Sequence, residues 1–298
     1  MVRKNIDLIY NIWSKDLTSY ILLLFFVLIV KAIFVFGAGP LPDEAYYWLW
    51  SKKLDYSYYD HPPLSSWIQG ALSSIIPSKQ IQIRIVPLIA FFVILLLNLH
   101  WLMLIGKHGA HEKIKNLLLL ISVPLYSIFL TVSFPDPLLI LLIYLSGFYF
   151  YKFITSYHQE KNNYIYWYLS ALAFSLSCLT KYNAIFFGVG VIVFLILKKD
   201  LRRILLSWHF VITLFIFLLV QLPVVLWNIQ NEYASLKFNL NSRLDFEFFW
   251  GIFLKNLITF IFSVIFASSP LLFFGILNKK NIAVSRGSNK NFLDFCYV

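Results

Sequence analysis

Eight apolar runs separated by polar intervals divide the chain, at about residues 18–38, 81–105, 114–132, 137–156, 164–180, 183–197, 204–227 and 251–277. A helix needs about 20 apolar residues to cross a bilayer, so each run reads as a membrane span. The third and sixth runs are short, and Pro124 predicts a kink in the third. The first run, at about 20 residues, reads as a retained span, not a signal peptide. No repeat of fixed period is visible. Composition agrees with the pattern: 60% of residues are hydrophobic, 13% are charged, and mean hydropathy is +0.74. A soluble domain keeps a far more polar surface. The expected fold class is therefore an all-α polytopic membrane protein of about eight transmembrane helices, with interfacial helices in the first outer loop.

The formal charge of +11 points to nucleic acid only if it lies on one accessible face. With the N-terminus inside, the inner segments 1–17, 106–116, 152–163, 198–203 and 278–298 hold 16 Lys/Arg, and the outer ones hold 8. This asymmetry obeys the positive-inside rule, with "KKDLRR" as the clearest stop signal. The excess charge is topological, and no nucleic-acid partner is expected. Cys178 lies in an apolar run and Cys296 in the polar tail, which makes no disulfide framework.

The same orientation gathers Asp43, Glu44, Asp55, Asp60, Asp136, Lys181 and Glu232 on the outer side, from four separate loops. Asp43 and Glu44 follow Pro40 and Pro42. They suit a helix N-terminus favoured by the dipole, but "EAYYWLW" also spaces its aromatics along one face of a membrane-surface helix. A carboxylate held there can act as a general base or bind a cation. Asp60 and His61, ahead of two prolines, form either a turn or a functional loop; a metal site would need further ligands, and the requirement for a divalent cation stays open. Asp136 before Pro137 reads as an N-cap or a site carboxylate. Lys181 either snorkels or, with Arg84 at the head of the second span, faces a phosphate. Trp227 suits an interfacial belt, whereas Asn228, Gln230, Asn231 and Glu232 together suit sugar hydroxyls or an exposed loop.

"DEAYYWLWSKKLDYSYYDHPPLSSW", "QIRIVP", "PDPLL", "LTKYNAIFF" and "PVVLWNIQNEYASLKF", in this order over about residues 18–277, resemble the polytopic GT-C glycosyltransferases that use polyprenyl-phosphate sugars. The group in view is that of aminoarabinose-lipid A transferase and protein O-mannosyltransferase. The resemblance implies a GT-C-like bundle with Asp43 as catalytic carboxylate and Glu44 as its partner. It implies that Lys181 and Arg84 hold the donor phosphate, and that Asp60, His61, Asp136, Tyr182, Trp227, Asn228 and Glu232 contribute to substrate binding. The implied partners are a polyprenyl-phosphate sugar donor, a lipid, glycan or protein acceptor, and membrane lipid. The implied place is the outer face of the inner (cytoplasmic) membrane.

Residues 1–277 read as the transmembrane domain and 278–298 as a polar cytoplasmic tail, where family members usually continue into further spans and an outer domain. The chain thus reads as a compact or a truncated member. The competing classes are a transporter or flippase of lipid-linked substrate, and an inactive family fragment. Transporters usually place their charges near the midplane on repeated, broken helices; these charges gather at one interface. The orientation predicts that a reporter fused after residue 40 or 240 faces outward and one after residue 200 faces the cytoplasm. Labelling of a cysteine near Asp60 only from the cytoplasmic side would overturn the scheme.

Overall fold

The computed structural model describes residues 17–105, 109–161, 163–244 and 250–267, and among these all regular structure is helical. The segment before Leu17, the far end of the eighth expected span and the tail 278–298 lie outside the described residues. In chain order the α-helices are α1 (Leu17–Gly37), α2 (Pro42–Lys52), α3 (Leu64–Ser73), α4 (Lys79–Ile105), α5 (Ala110–Ser122), α6 (Pro124–Phe129) and α7 (Asp136–His158). There follow α8 (Tyr164–Cys178), a 3-10 turn (Tyr182–Ala184), α9 (Ile185–Leu197), α10 (Arg202–Leu205), α11 (Trp208–Gln230), α12 (Ala234–Leu244) and α13 (Trp250–Ala267).

Four of these, α1, α4, α7 and α11, are long and apolar enough to cross a membrane. The 23 residues of α7 cover about 35 Å at 1.5 Å per residue, slightly more than the hydrocarbon thickness. Shorter apolar helices, among them α9 and α13, stand beside them. Large apolar side chains such as Leu22, Phe25 and Phe26 of α1 and Phe215 and Leu218 of α11 are exposed, as suits surfaces that meet lipid. The chain is an all-α, multi-pass membrane protein.

Two apolar clusters hold the bundle. One joins Val86, Ala90, Phe91 and Ile94 of α4 to Leu118 and Ile121 of α5 and to Leu138, Leu141 and Leu142 of α7. The other joins Phe150, Phe153 and Ile154 of α7 to Trp167 of α8 and Phe194 and Leu195 of α9 at the opposite end. Polar contacts supplement the packing where no water competes. The Ser146 and Ser170 hydroxyls each donate to the other's carbonyl, both at 2.9 Å, locking α7 to α8. Gln221 of α11 donates to the Ser175 carbonyl of α8 at 2.8 Å.

Two stretches differ from the sequence reading. The run 114–132 is not one kinked helix but two helices, because Val123 takes an extended conformation (φ −68°, ψ 112°) as the residue before a proline must favour. The interval after α11, read as a loop, turns through Glu232 (φ 53°) and Tyr233 (φ 61°) and then forms α12. The interval between α1 and α4 contains two short helices, α2 and α3. They touch closely at Gly70, where a Cβ would lie 2.7 Å from the Ser51 carbonyl oxygen.

Candidate active site

The site is built on a buried ion pair. Glu44, the third residue of α2, is 0% exposed, and Arg84, in the second turn of α4, is 1% exposed. Arg84 donates from Nε to Glu44 Oε1 at 2.9 Å and from Nη2 to Oε2 at 2.7 Å, the planar fork that guanidinium offers a carboxylate. Its remaining N–H groups serve the end of α1. Nη1 reaches the carbonyls of Phe34, Val35 and Ala38, and Nη2 that of Gly39, all between 2.9 and 3.1 Å. These are the acceptors that a helix C-terminus leaves open, and the positive charge also suits the negative end of the helix. Glu44 accepts two further bonds at 2.9 Å, from the Leu41 and Ser133 N–H groups. Burial alone would raise its pKa, but the Arg84 and backbone bonds outweigh it and hold the carboxyl below the usual glutamate range.

Two expectations change accordingly. Arg84 was read as a phosphate ligand, yet every N–H it carries already has an acceptor, so it works as a clamp. Glu44 was read as a catalytic partner, yet both its oxygens are occupied, so it positions its neighbours. It joins the end of α1, the start of α2 and the 133–135 segment that leads into α7.

Asp43 precedes Glu44 and points elsewhere. It is exposed and makes no hydrogen bond or ion pair among the described residues. Tyr47, one helical turn on, shows what lies around it. Burial first, and then the charges of Asp60, Asp43 and Asp136, push the Tyr47 phenol well above its ordinary pKa. Three carboxylates, from the start of α2, the first loop and the start of α7, therefore act electrostatically on one hydroxyl. Asp136 is paired with Lys181, whose Nζ lies 2.9 and 3.1 Å from its two oxygens. Pro135 occupies the N-cap position of α7, so Asp136 faces Lys181 across the cleft and is not the cap. Asp60 accepts from the Tyr46 hydroxyl at 3.4 Å. Its Oδ2 lies 3.4 Å from His61 Nδ1, and the His61 ring packs edge-on to Tyr47 with centroids 5.6 Å apart.

The segment from Trp227 to Asn239 roofs this cluster. Trp227 donates from its indole to Asp55 Oδ2 at 3.0 Å. Tyr182 bonds the Ser235 hydroxyl at 2.8 Å, Asn239 donates to the Asp60 carbonyl at 3.3 Å, and Phe238 packs on Tyr59. The loops expected to converge do so. Asn228, expected to bind substrate, is instead 2% exposed. Its side chain donates to the Val224 carbonyl and accepts from the Leu236 N–H, which shapes the turn into α12. Glu232 stands exposed on that turn. Tyr47 and Asn239 were missed as site residues; the aromatic run "EAYYWLW" was the signal for the first. Among the described residues no three His, Cys, Asp or Glu side chains gather as a metal site.

A multi-pass helical bundle whose surface loops bring acids, a lysine and aromatics to one membrane edge defines a class of membrane enzyme scaffold. The model of the dolichyl-phosphate-mannose-protein mannosyltransferase family matches residues 60–227, more than half of the sequence, and the chain belongs to that family. It is also similar to the lipid A galacturonosyltransferase RgtD of Rhizobium johnstonii, 26% identical over 237 residues, which are 79% of this chain and 48% of that protein. The chain thus spans about half the length of that curated relative. No solved structure matches.

The clamp reading of Arg84 predicts that Arg84→Gln costs about 3–5 kcal/mol of stability, the penalty for stranding a buried charge, measured by unfolding in mixed micelles. A phosphate ligand would instead lose donor affinity with stability intact. Because the folded-state pKa of Glu44 is depressed, its contribution is present above the ordinary glutamate value of about 4.3 and lost as pH falls through the lower folded value. Stability in Glu44→Gln protein should lack that acid limb.

Proposed function

We propose that this chain is a glycosyltransferase that moves a sugar from a polyprenyl-phosphate donor to a lipid, glycan or protein acceptor at the outer face of the cytoplasmic membrane, with inversion. The observation that carries the reading is the Asp136–Lys181 pair at 2.9 Å, with Asp60 and His61 beside Tyr46 and Tyr47 and exposed Asp43 one turn before Tyr47 on α2. Family membership supports the same reading, and the relative's name places lipid A among the acceptor classes to test.

The chemistry follows from charge. Asp43 is the carboxylate with no partner to give up, so it takes the proton of an acceptor hydroxyl as that oxygen attacks the anomeric carbon. The C–O bond to the phosphate breaks on the opposite face, and the departing polyprenyl phosphate takes the bonding electrons. Lys181 stabilises that growing negative charge. Asp136 holds the ammonium in place; a donor phosphate competes with Asp136 for it. Tyr46, Tyr47, Trp50 and His61 form an aromatic wall, with Tyr47–Trp50 and Tyr46–Trp50 centroids 5.3 and 4.6 Å apart, suited to a sugar ring face. An acceptor that is already an ionised phosphate would need no base, and Asp43 would then stabilise positive charge on the sugar.

Sugar transfer from a defined polyprenyl-phosphate donor to a hydroxyl acceptor, in detergent, tests the proposal. Asp43→Asn keeps shape and helix-capping ability but should lower turnover about 10²–10⁴-fold. Lys181→Ala should weaken donor use by about 1.5–3 kcal/mol. Wild-type turnover in Asp43→Asn with a hydroxyl acceptor would remove the base, and unchanged donor kinetics in Lys181→Ala would return that residue to snorkelling.

A further inference from the structure

A second polar site lies at the other end of α7. The helix runs from Asp136 at the carboxylate cluster to His158, so its last two turns are about 30 Å from the first. Membrane helices bury apolar side chains, yet Lys152, Thr155, Ser156 and Gln159 follow one another at i, i+3, i+4 and i+7, which places them on one face. That face opens on a cavity of about 580 Å³ that Lys161, Asn163 and Tyr166 also line. Some of these polar groups have structural duties. Thr155 donates to the Tyr151 carbonyl at 2.9 Å, and the Ser156 hydroxyl accepts from the Asn163 N–H at 2.9 Å.

The two lysines have none. Neither the Lys152 nor the Lys161 ammonium forms a hydrogen bond or ion pair among the described residues, and no carboxylate among those residues lines the cavity. Lys152 lies between rings, its Nζ 4.9 Å from the Phe148 centroid and 5.3 Å from that of Tyr166. These contacts hold its ammonium against two rings without neutralising its charge. The acids nearest in sequence are otherwise placed: Asp200 lies 3.6 Å from His158, and Glu160 is exposed at φ 58° outside the cavity lining. Leu104, at the end of spanning helix α4, forms the apolar rim, which sets the cavity at headgroup depth.

We propose that this cavity binds the phosphate headgroup of an anionic glycerophospholipid, in the leaflet that the Lys/Arg distribution assigns to the cytoplasm. Two uncompensated ammonium groups meet the phosphate, and the Gln159 and Asn163 amides meet glycerol oxygens. The acyl chains continue along the exposed apolar face. Basic pockets between membrane helices on that side are the places where anionic headgroups dock. A free phosphate ester shares the headgroup chemistry but gains nothing from the apolar rim.

The test titrates phosphatidylglycerol, phosphatidylcholine or soluble glycerol phosphate into delipidated protein in detergent, with bound molecules counted by native mass spectrometry. Wild-type protein should hold phosphatidylglycerol about tenfold or more tightly than phosphatidylcholine, the scale of charge-assisted bonds. K152Q/K161Q should lose that preference while Lys79→Gln, an exposed lysine at the other end, keeps it. The Lys161 side chain is exposed and its one hydrogen bond is from the backbone N–H, which Gln keeps, so K161Q alone tests the site should the double variant fold poorly, and it should show a partial loss. Equal affinity for the two lipids in wild-type protein overturns the proposal, as does an unchanged preference in folded K152Q/K161Q. Tighter binding of glycerol phosphate than of phosphatidylglycerol overturns the lipid assignment.

Discussion

The buried pair between Glu44 and Arg84 is the constraint on which the rest of the site depends. An ion pair taken out of water regains its desolvation cost only when the remaining donors and acceptors are also satisfied. Here they are. Arg84 closes the open carbonyls at the end of α1, and Glu44 collects the Leu41 and Ser133 N–H groups. Gln80, one turn before Arg84, adds a bond to the Phe36 carbonyl. The first turns of α4 thus act as the C-cap of α1, in a place where an unpaired backbone group would be costly.

This arrangement divides the labour of two adjacent carboxylates. Glu44 is fixed by its bonds and so fixes the register of α2; Asp43, just before it in the chain, is left exposed. The Ser133 bond extends the effect to the segment that carries Asp136, and Asp136 in turn holds Lys181. One clamp therefore ties the Asp43 side and the Lys181 side of the cleft together, although the residues come from segments more than 130 positions apart in sequence. Positioning of this kind lets a site act through preformed charges.

The spans were legible because bilayer thickness imposes a length and a hydropathy on each. The outer cluster was legible because charged residues in so apolar a chain are few and the positive-inside rule sorts them. The convergence of loops emerged from that sorting, as the contacts of Trp227, Ser235 and Asn239 with Asp55, Tyr182 and Asp60 show. The role of Arg84 did not: a basic residue near a span end looks the same whether it faces a phosphate or the carbonyls of a neighbouring helix, and only the fold shows which acceptors it meets. Asn228 misled for a similar reason, since an amide suits a sugar hydroxyl and a turn equally well. The break at Val123 was half visible, as Pro124 announced a bend but not that its neighbour would leave the helix. Helix α12 stayed hidden because its sequence is too polar and short to announce itself, and its order comes from contacts with Tyr59, Asp60 and Tyr182.

The central claim is that Glu44 and Arg84 act as one unit. A double-mutant cycle tests it directly, with unfolding measured in mixed micelles for Glu44→Gln, Arg84→Met and both together. The account predicts strong coupling, with the double variant more stable than the sum of single losses requires by about 2 kcal/mol or more, since removing both charges leaves none stranded. Single losses that simply add, with a coupling near zero, would contradict it.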